Sequence, residues 1–244
     1  MTLALAPVAV THTGLRRPGN EDSVFATRRL VAVADGVGGA VAGEIASRTA
    51  ISLLQSLEKT WLDGPLDVAL EAAVVDGNAR IGFIGECEPR YAGMGTTLTA
   101  AAIDGDAIVV ANIGDSRTYL LRDGELVQLT RDDSYLQELL DSGQLTPEQA
   151  RSHPQRSLVL AALDGTDGRR PALSRFTARA GDRLLLCSDG LSDLVDDATI
   201  AALLARPDAA TALVGAALAA GGRDNVSVIV ADVVPGEPGW RAVR

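Results

Sequence analysis

Apolar residues along this chain gather in short runs, most of them cut off by glycine, aspartate or arginine. Such runs, many without strict alternation, read as buried strands. They predict strands at 6–12, 22–27, 30–34, 96–103, 106–113, 116–122, 172–179, 183–188 and 226–233. Asp104-Gly105-Asp106 and Arg122-Asp123-Gly124 are short glycine turns of the kind that close antiparallel hairpins. Longer stretches predict helices at 40–59, 65–85, 132–142, 146–152, 197–205 and 208–220. The fourth opens on Thr146-Pro147-Glu148-Gln149, a capping residue with proline in the first turn. Together they predict an α+β fold, packed antiparallel sheets with helices covering the outer faces. The segment at about 130–157 is polar and interrupts the strands, which makes it a surface flap. With no repeat and no long linker, one domain is expected over 1–235, followed by a short tail at 236–244.

Composition narrows the choice of partners. Of 244 residues, 47% are hydrophobic and only 3% aromatic, so Ala, Val and Leu must build the core. A net charge of -10 argues against non-specific binding to nucleic acid or anionic membrane. The apolar start MTLALAPVAV has no basic residues ahead of it and reads as a first strand. The Ala-rich stretch 209–221 falls short of the roughly 20 apolar residues that cross a bilayer. Cys87 and Cys187 lack CxxC spacing and are expected as buried thiols of a reducing compartment, the cytoplasm.

The chemistry lies where the strands stop. In LVAVADGVGG a buried run ends on Asp35, and the next residues are largely glycine. The pattern recurs: Glu21 and Asp22 precede a strand in RPGNEDS, Asp115 follows one in ANIGDSR, Asp189 ends one in LLLCSDG, and Asp224 precedes one in GGRDNVSV. If these termini share one rim, the carboxylates repel and raise one another's pKa unless cations neutralise them. Oxygen donors without clustered His or Cys suit Mg²⁺ or Mn²⁺ better than Zn²⁺. Asp35 is then expected to bridge two ions, with the bare backbone of Gly36 lending a carbonyl. Other acids have local explanations: Asp104, Asp106 and Asp123 as turn residues, Asp132 and Asp133 as helix caps, and Asp193, Asp196 and Asp197 as a solvated helix start.

Gly14-Leu15-Arg16-Arg17 leading to Asn20-Glu21-Asp22, then ADGVGG, GMGTTLT, NIGDSRTYLLRDG, SHPQRSL, CSDGLSD and GGRDNVSV occur in that order. In this the chain resembles the metal-dependent Ser/Thr protein phosphatases of type 2C, the PPM family, in its bacterial branch. The resemblance implies a β-sandwich of two antiparallel sheets flanked by pairs of helices. It implies that Asp35, Asp189 and Asp224 hold one ion, and that Asp35 and the Gly36 carbonyl hold a second, with Glu21 or Asp22 contacting it directly or through water. Asp115 would help bind a third ion, with an oxygen from Ser157 in the flap, and Arg17 would grip the substrate phosphate. The implied reaction is hydrolysis of phosphoserine and phosphothreonine by in-line attack of a metal-bridging hydroxide. Its partners would be phosphorylated proteins, including Ser/Thr kinases and their substrates, met by a monomer in signal transduction. Many animal relatives carry His after the Asp-Gly pair, where this chain has Val37. His153 in the flap is the remaining histidine that could approach a leaving group. A catalytically inactive binding module of the same family is the competing reading.

Overall fold

The structure, a computed structural model, describes residues 2–37, 42–60, 64–151 and 153–236. Two five-stranded antiparallel sheets lie face to face. The first has the order β1 (Leu3–His12), β12 (Val226–Pro235), β11 (Arg183–Cys187), β8 (Arg117–Arg122), β9 (Glu125–Gln128). The second runs β10 (Ala172–Thr177), β7 (Ala107–Ile113), β6 (Leu98–Asp104), β3 (Leu30–Ala34), β2 (Ser23–Ala26). A two-stranded ribbon, β4 (Gly36–Val37) with β5 (Gly95–Thr96), sits beyond the end of β3. The α+β sandwich expected from the sequence is the one observed.

Strand β3 shows why its run does not alternate in polarity. Leu30, Ala32 and Ala34 face α1 (Gly43–Thr60) and α2 (Leu66–Cys87), whereas Val31 and Val33 face the other sheet. Both faces are dry, so both must be apolar. On the far side, Leu185, Cys187, Val228 and Val230 pack against α5 (Asp189–Ser192), α6 (Asp197–Leu204) and α7 (Ala209–Ala219). Asp123-Gly124 closes the β8–β9 hairpin with φ of 53° and 84°, the left-handed pair that a two-residue turn of right-twisted strands requires.

Several boundaries differ from the sequence reading. Strand β9 was not expected, because ELVQ is short and only half-buried. Helix α5 is a single turn that starts on Asp189 itself. The flap holds α3 (Tyr135–Asp141) and α4 (Pro147–Arg151), and the cap of α3 is Ser134, whose hydroxyl accepts from Gln137 N. Asp132 and Asp133 are therefore not helix caps. Cys87 is exposed, contrary to expectation, because it ends α2 at the surface; Cys187 is buried and its thiol is pushed up to about 12 by desolvation. The start of the expected helix at 40–41 and most of the tail lie outside the described residues.

Register sets the position of the site. Ala34 pairs with Ser23, Ile113 with Leu98, Cys187 with both Val228 and Arg117, and His12 with Val226. The end of β3, the start of β2, the β7–β8 turn, the end of β11 and the start of β12 therefore share one end of the sandwich.

At the opposite end of the sandwich, Asp182 accepts two bonds from Arg122 at 2.6 and 2.7 Å and one from Arg179 N at 2.7 Å. Burial opposes its charge, yet these donors hold the carboxyl below its ordinary value. A depressed folded pKa stabilises above the unfolded value and is lost as pH falls through the folded one. Asp182→Asn is expected to lower the melting midpoint near neutral pH by about 5 °C, and the deficit should shrink below about pH 4. Melts across that pH range check it; a constant deficit contradicts it.

Candidate active site

Five aspartates meet at the shared end. Asp35 follows β3, and its carboxyl lies within hydrogen-bonding reach of those of Asp22 and Asp189. Its proton affinity is raised well above the usual carboxylate range, first by burial and then by Asp22, Asp189, Asp115 and Asp224. Asp189 is raised similarly by burial, Asp115, Asp193 and Asp224. Asp22 is pushed up to about 6 by burial, although Ser227 and Ser188 favour its charge. Asp115 is pushed up to about 7 by burial and by Asp132. Asp224 is half-buried at the rim, with Oδ1 accepting from Asn225 N.

The oxygens of this cluster fit cations. Asp22 Oδ1, Asp115 Oδ1 and Asp189 Oδ1 are buried without a hydrogen-bond partner, a costly state for carboxylates and the donor chemistry hard divalent ions require. Among the described residues no three such side chains are already drawn into metal-ligand spacing, so the acids gather without closing a cage. Gly36 approaches the backbone of Gly43 so closely that a side chain at position 36 would collide with it. A Cβ on Gly43 would in turn lie 2.7 Å from Glu21 Oε2 and 3.0 Å from Gly36 O, so these two oxygens line one small space.

Arg17 reaches the rim from the loop after β1, and its Nη2 donates to Asp224 Oδ2 at 2.7 Å. Asn225 shapes that loop. Its side chain donates to Thr13 O and Gly19 O and accepts from Glu21 N, all at 2.8–2.9 Å. Ser157 is exposed in the flap turn; Arg156 lines the cavity beside Asp115. That cavity, about 270 Å³, lies between the flap and α5 and includes Asp189 and Asp193. Arg156 Nε meets Asp193 Oδ2 at 3.3 Å and ties flap to body. His153 is turned within the flap, with Nδ1 accepting from Gln155 N, and His12 Nδ1 accepts from Gly14 N.

Sequence reasoning missed what supports these acids. Arg117 forks onto Asp132, with bonds of 2.6 and 2.9 Å, and also donates to Tyr119 Oη. Asp133 accepts from Gly114 N and its own amide donates to Gly114 O, which fastens the flap root to the Asp115 turn. A long-range pair leaves no local signal. The Ser134-x-x-Gln137 spacing is a capping pattern that would have pointed to Ser134 and freed Asp132 and Asp133 for other roles.

The architecture is thus an αββα sandwich with acids at one end and an arginine at its mouth, and comparison with known proteins places it in a family. The family model described as Protein phosphatase 2C matches residues 19–220, and this chain belongs to that family. It is 52% identical over 237 residues to the serine/threonine protein phosphatase PstP of Mycobacterium tuberculosis, covering 96% of this chain and 46% of that protein. The chain thus spans about half the length of that relative. Protein phosphatase PhpP of Streptococcus pneumoniae is 37% identical, with 90% of this chain and 94% of PhpP covered. Among solved structures, the PstP catalytic domain in complex with two manganese ions superposes with a TM-score of 0.90 at 49% identity, covering 96% of this chain and all of that one. Stp1 of Staphylococcus aureus superposes at 0.89 with 33% identity, covering 97% and 98% of the two chains.

Proposed function

We propose that this chain hydrolyses phosphoserine and phosphothreonine in proteins with the aid of Mn²⁺ or Mg²⁺. The observation that carries the reading is the set of unpartnered buried oxygens on Asp22, Asp115 and Asp189, gathered around Asp35 within reach of Arg17. Asp35, Asp189 and Asp224 would hold one ion. Asp35 and the Gly36 carbonyl would hold the second, with Asp22 or Glu21 completing it, and Asp115 with a flap oxygen such as Ser157 would serve a third. When bound, such ions supply an acidified water and positive charge near the phosphoryl oxygens.

The chain's own groups do the rest. Asp35 concentrates the negative charge on which the ions would depend at the shared end of the sandwich. Arg17 spends one Nη2 bond on Asp224, and among the described residues its Nε and Nη1 have no partner, so its fork is free to orient two phosphate oxygens. Val37 has no proton to give the leaving alkoxide, whereas His153, whose Nδ1 accepts from Gln155 N, keeps an Nε2–H donor within the flap. Phosphorylated proteins, Ser/Thr kinases among them, are the proposed partners of a monomeric cytoplasmic domain spanning 1–235. Among the described residues no helix is long and apolar enough to cross a membrane.

Turnover of a phenyl phosphate and of a phosphothreonine peptide, with Mn²⁺ varied, tests this. Manganese-dependent release of phosphate is expected; bound ions without turnover would instead mark a binding module. Asp115→Ala is expected to leave calorimetric binding of the two core ions intact while turnover falls about tenfold. Loss of both core ions in that variant contradicts the role given to Asp115.

A further inference from the structure

Gly95-Thr96-Thr97, within GMGTTLT, leads the chain into β6, and its hydrogen bonds give it a second duty. Thr97 N donates to Asp35 O at 2.8 Å, and Thr97 Oγ1 accepts from Asp35 N at 3.1 Å. Thr96 Oγ1 also reaches Asp35 O at 2.8 Å. Both backbone polar groups of Asp35 are therefore held by this one dipeptide. The Thr97 hydroxyl has a further partner, Ser116 Oγ at 2.8 Å, next to Asp115 in the turn that crosses to the other sheet. Gly114 packs on the Thr97 methyl so tightly that a Cβ there would lie 2.6 Å from Thr97 Cγ2. Thr97 and Ser116 are fully buried, so no water competes for these bonds.

The geometry points to Thr97 as a positioning residue: its buried hydroxyl braces the Asp35 backbone against the Ser116 turn and so holds Asp35 in register with Asp115, where the chain crosses between the sheets. Strand entry needs only the backbone of Thr97 and would tolerate any β-branched side chain. A brace needs the hydroxyl. Misplacing a carboxylate by a fraction of an ångström weakens cation binding and turnover, whereas phosphate recognition by Arg17 is left alone.

The inference rests on the proposed phosphatase reading, and one paired substitution separates the two. Thr97→Val keeps the shape and removes the hydroxyl; Thr97→Ser keeps the hydroxyl and removes the methyl. Calorimetric Mn²⁺ affinity and kcat on a phenyl phosphate are each expected to fall about tenfold in Thr97→Val, with KM within about twofold of the parent, and to return close to parental values in Thr97→Ser. Hydrogen exchange at the Asp35 amide should speed up in the valine variant only. Parental affinity and exchange in Thr97→Val would overturn the inference, as would equal losses in both variants, since the hydroxyl kept in Thr97→Ser would then have rescued nothing. If Thr97→Val does not fold, Ser116→Ala decides, since it deletes the far end of the brace. Weaker Mn²⁺ binding there supports the brace, and unchanged binding refutes it. A parent protein that binds no Mn²⁺ overturns the phosphatase reading instead.

Discussion

Asp35→Asn is expected to cut turnover by at least about 10³-fold, equivalent to about 4 kcal/mol of transition-state stabilisation, while making the metal-free protein harder to unfold. The two effects have one cause. Asp35 sits amid Asp22, Asp189, Asp115 and Asp224, so its charge is desolvated and repelled by its neighbours. An amide of the same shape relieves that repulsion and raises the melting midpoint. The same exchange removes the charge on which the ions depend, and calorimetry should show Mn²⁺ affinity collapsing. A variant that is inactive because it is misfolded would melt earlier, so the sign of the melting shift separates the two explanations. Near-parental turnover would contradict the mechanism.

Asp132→Asn should have the largest effect on stability. Arg117 is deeply placed, and Asp132 meets it with a fork of three hydrogen bonds while Gln128 adds a fourth to the carboxylate. Removing the anion strands a guanidinium with no equal partner, which costs about 3–5 kcal/mol. For a chain of this size that lowers the midpoint by on the order of 10 °C. The damage should extend to function, because the adjoining Asp133 anchors the flap root to Gly114, beside Asp115. Thermal denaturation with the double variant Arg117→Met/Asp132→Leu checks the cause. The double variant should recover much of the loss, since an apolar pair leaves no charge unpaired. A single variant as stable as the parent would show that the pair contributes little.

Much of the fold was legible because its signals are local. Unbroken apolar runs marked β3, β6, β7 and β11, and Asp-Gly turns marked the hairpins. The candidate acids were legible for the same reason: each lies one or two residues from a strand end, and register brings those ends together. What escaped the sequence depends on contacts between distant segments. Asp132 resembled a helix cap because it precedes α3, but its partner, Arg117, lies fifteen residues earlier across a hairpin. Asp193 resembled a solvated acid, yet the flap brings Arg156 onto it. Thr97 resembled an ordinary strand residue because nothing in GMGTTLT shows that its hydroxyl meets Ser116. Cys87 was misjudged because cysteine's usual burial does not apply at the exposed last residue of α2.

The central claim is that acids from the ends of separate strands share a pair of divalent ions. Anomalous diffraction from crystals soaked in Mn²⁺ tests it directly, by counting the ions and naming their ligands. The account requires two manganese peaks at the shared end of the sandwich, with Asp35 touching both, Asp189 and Asp224 on one, and the Gly36 carbonyl on the other. Peaks elsewhere, or none within coordination distance of Asp35, would contradict it.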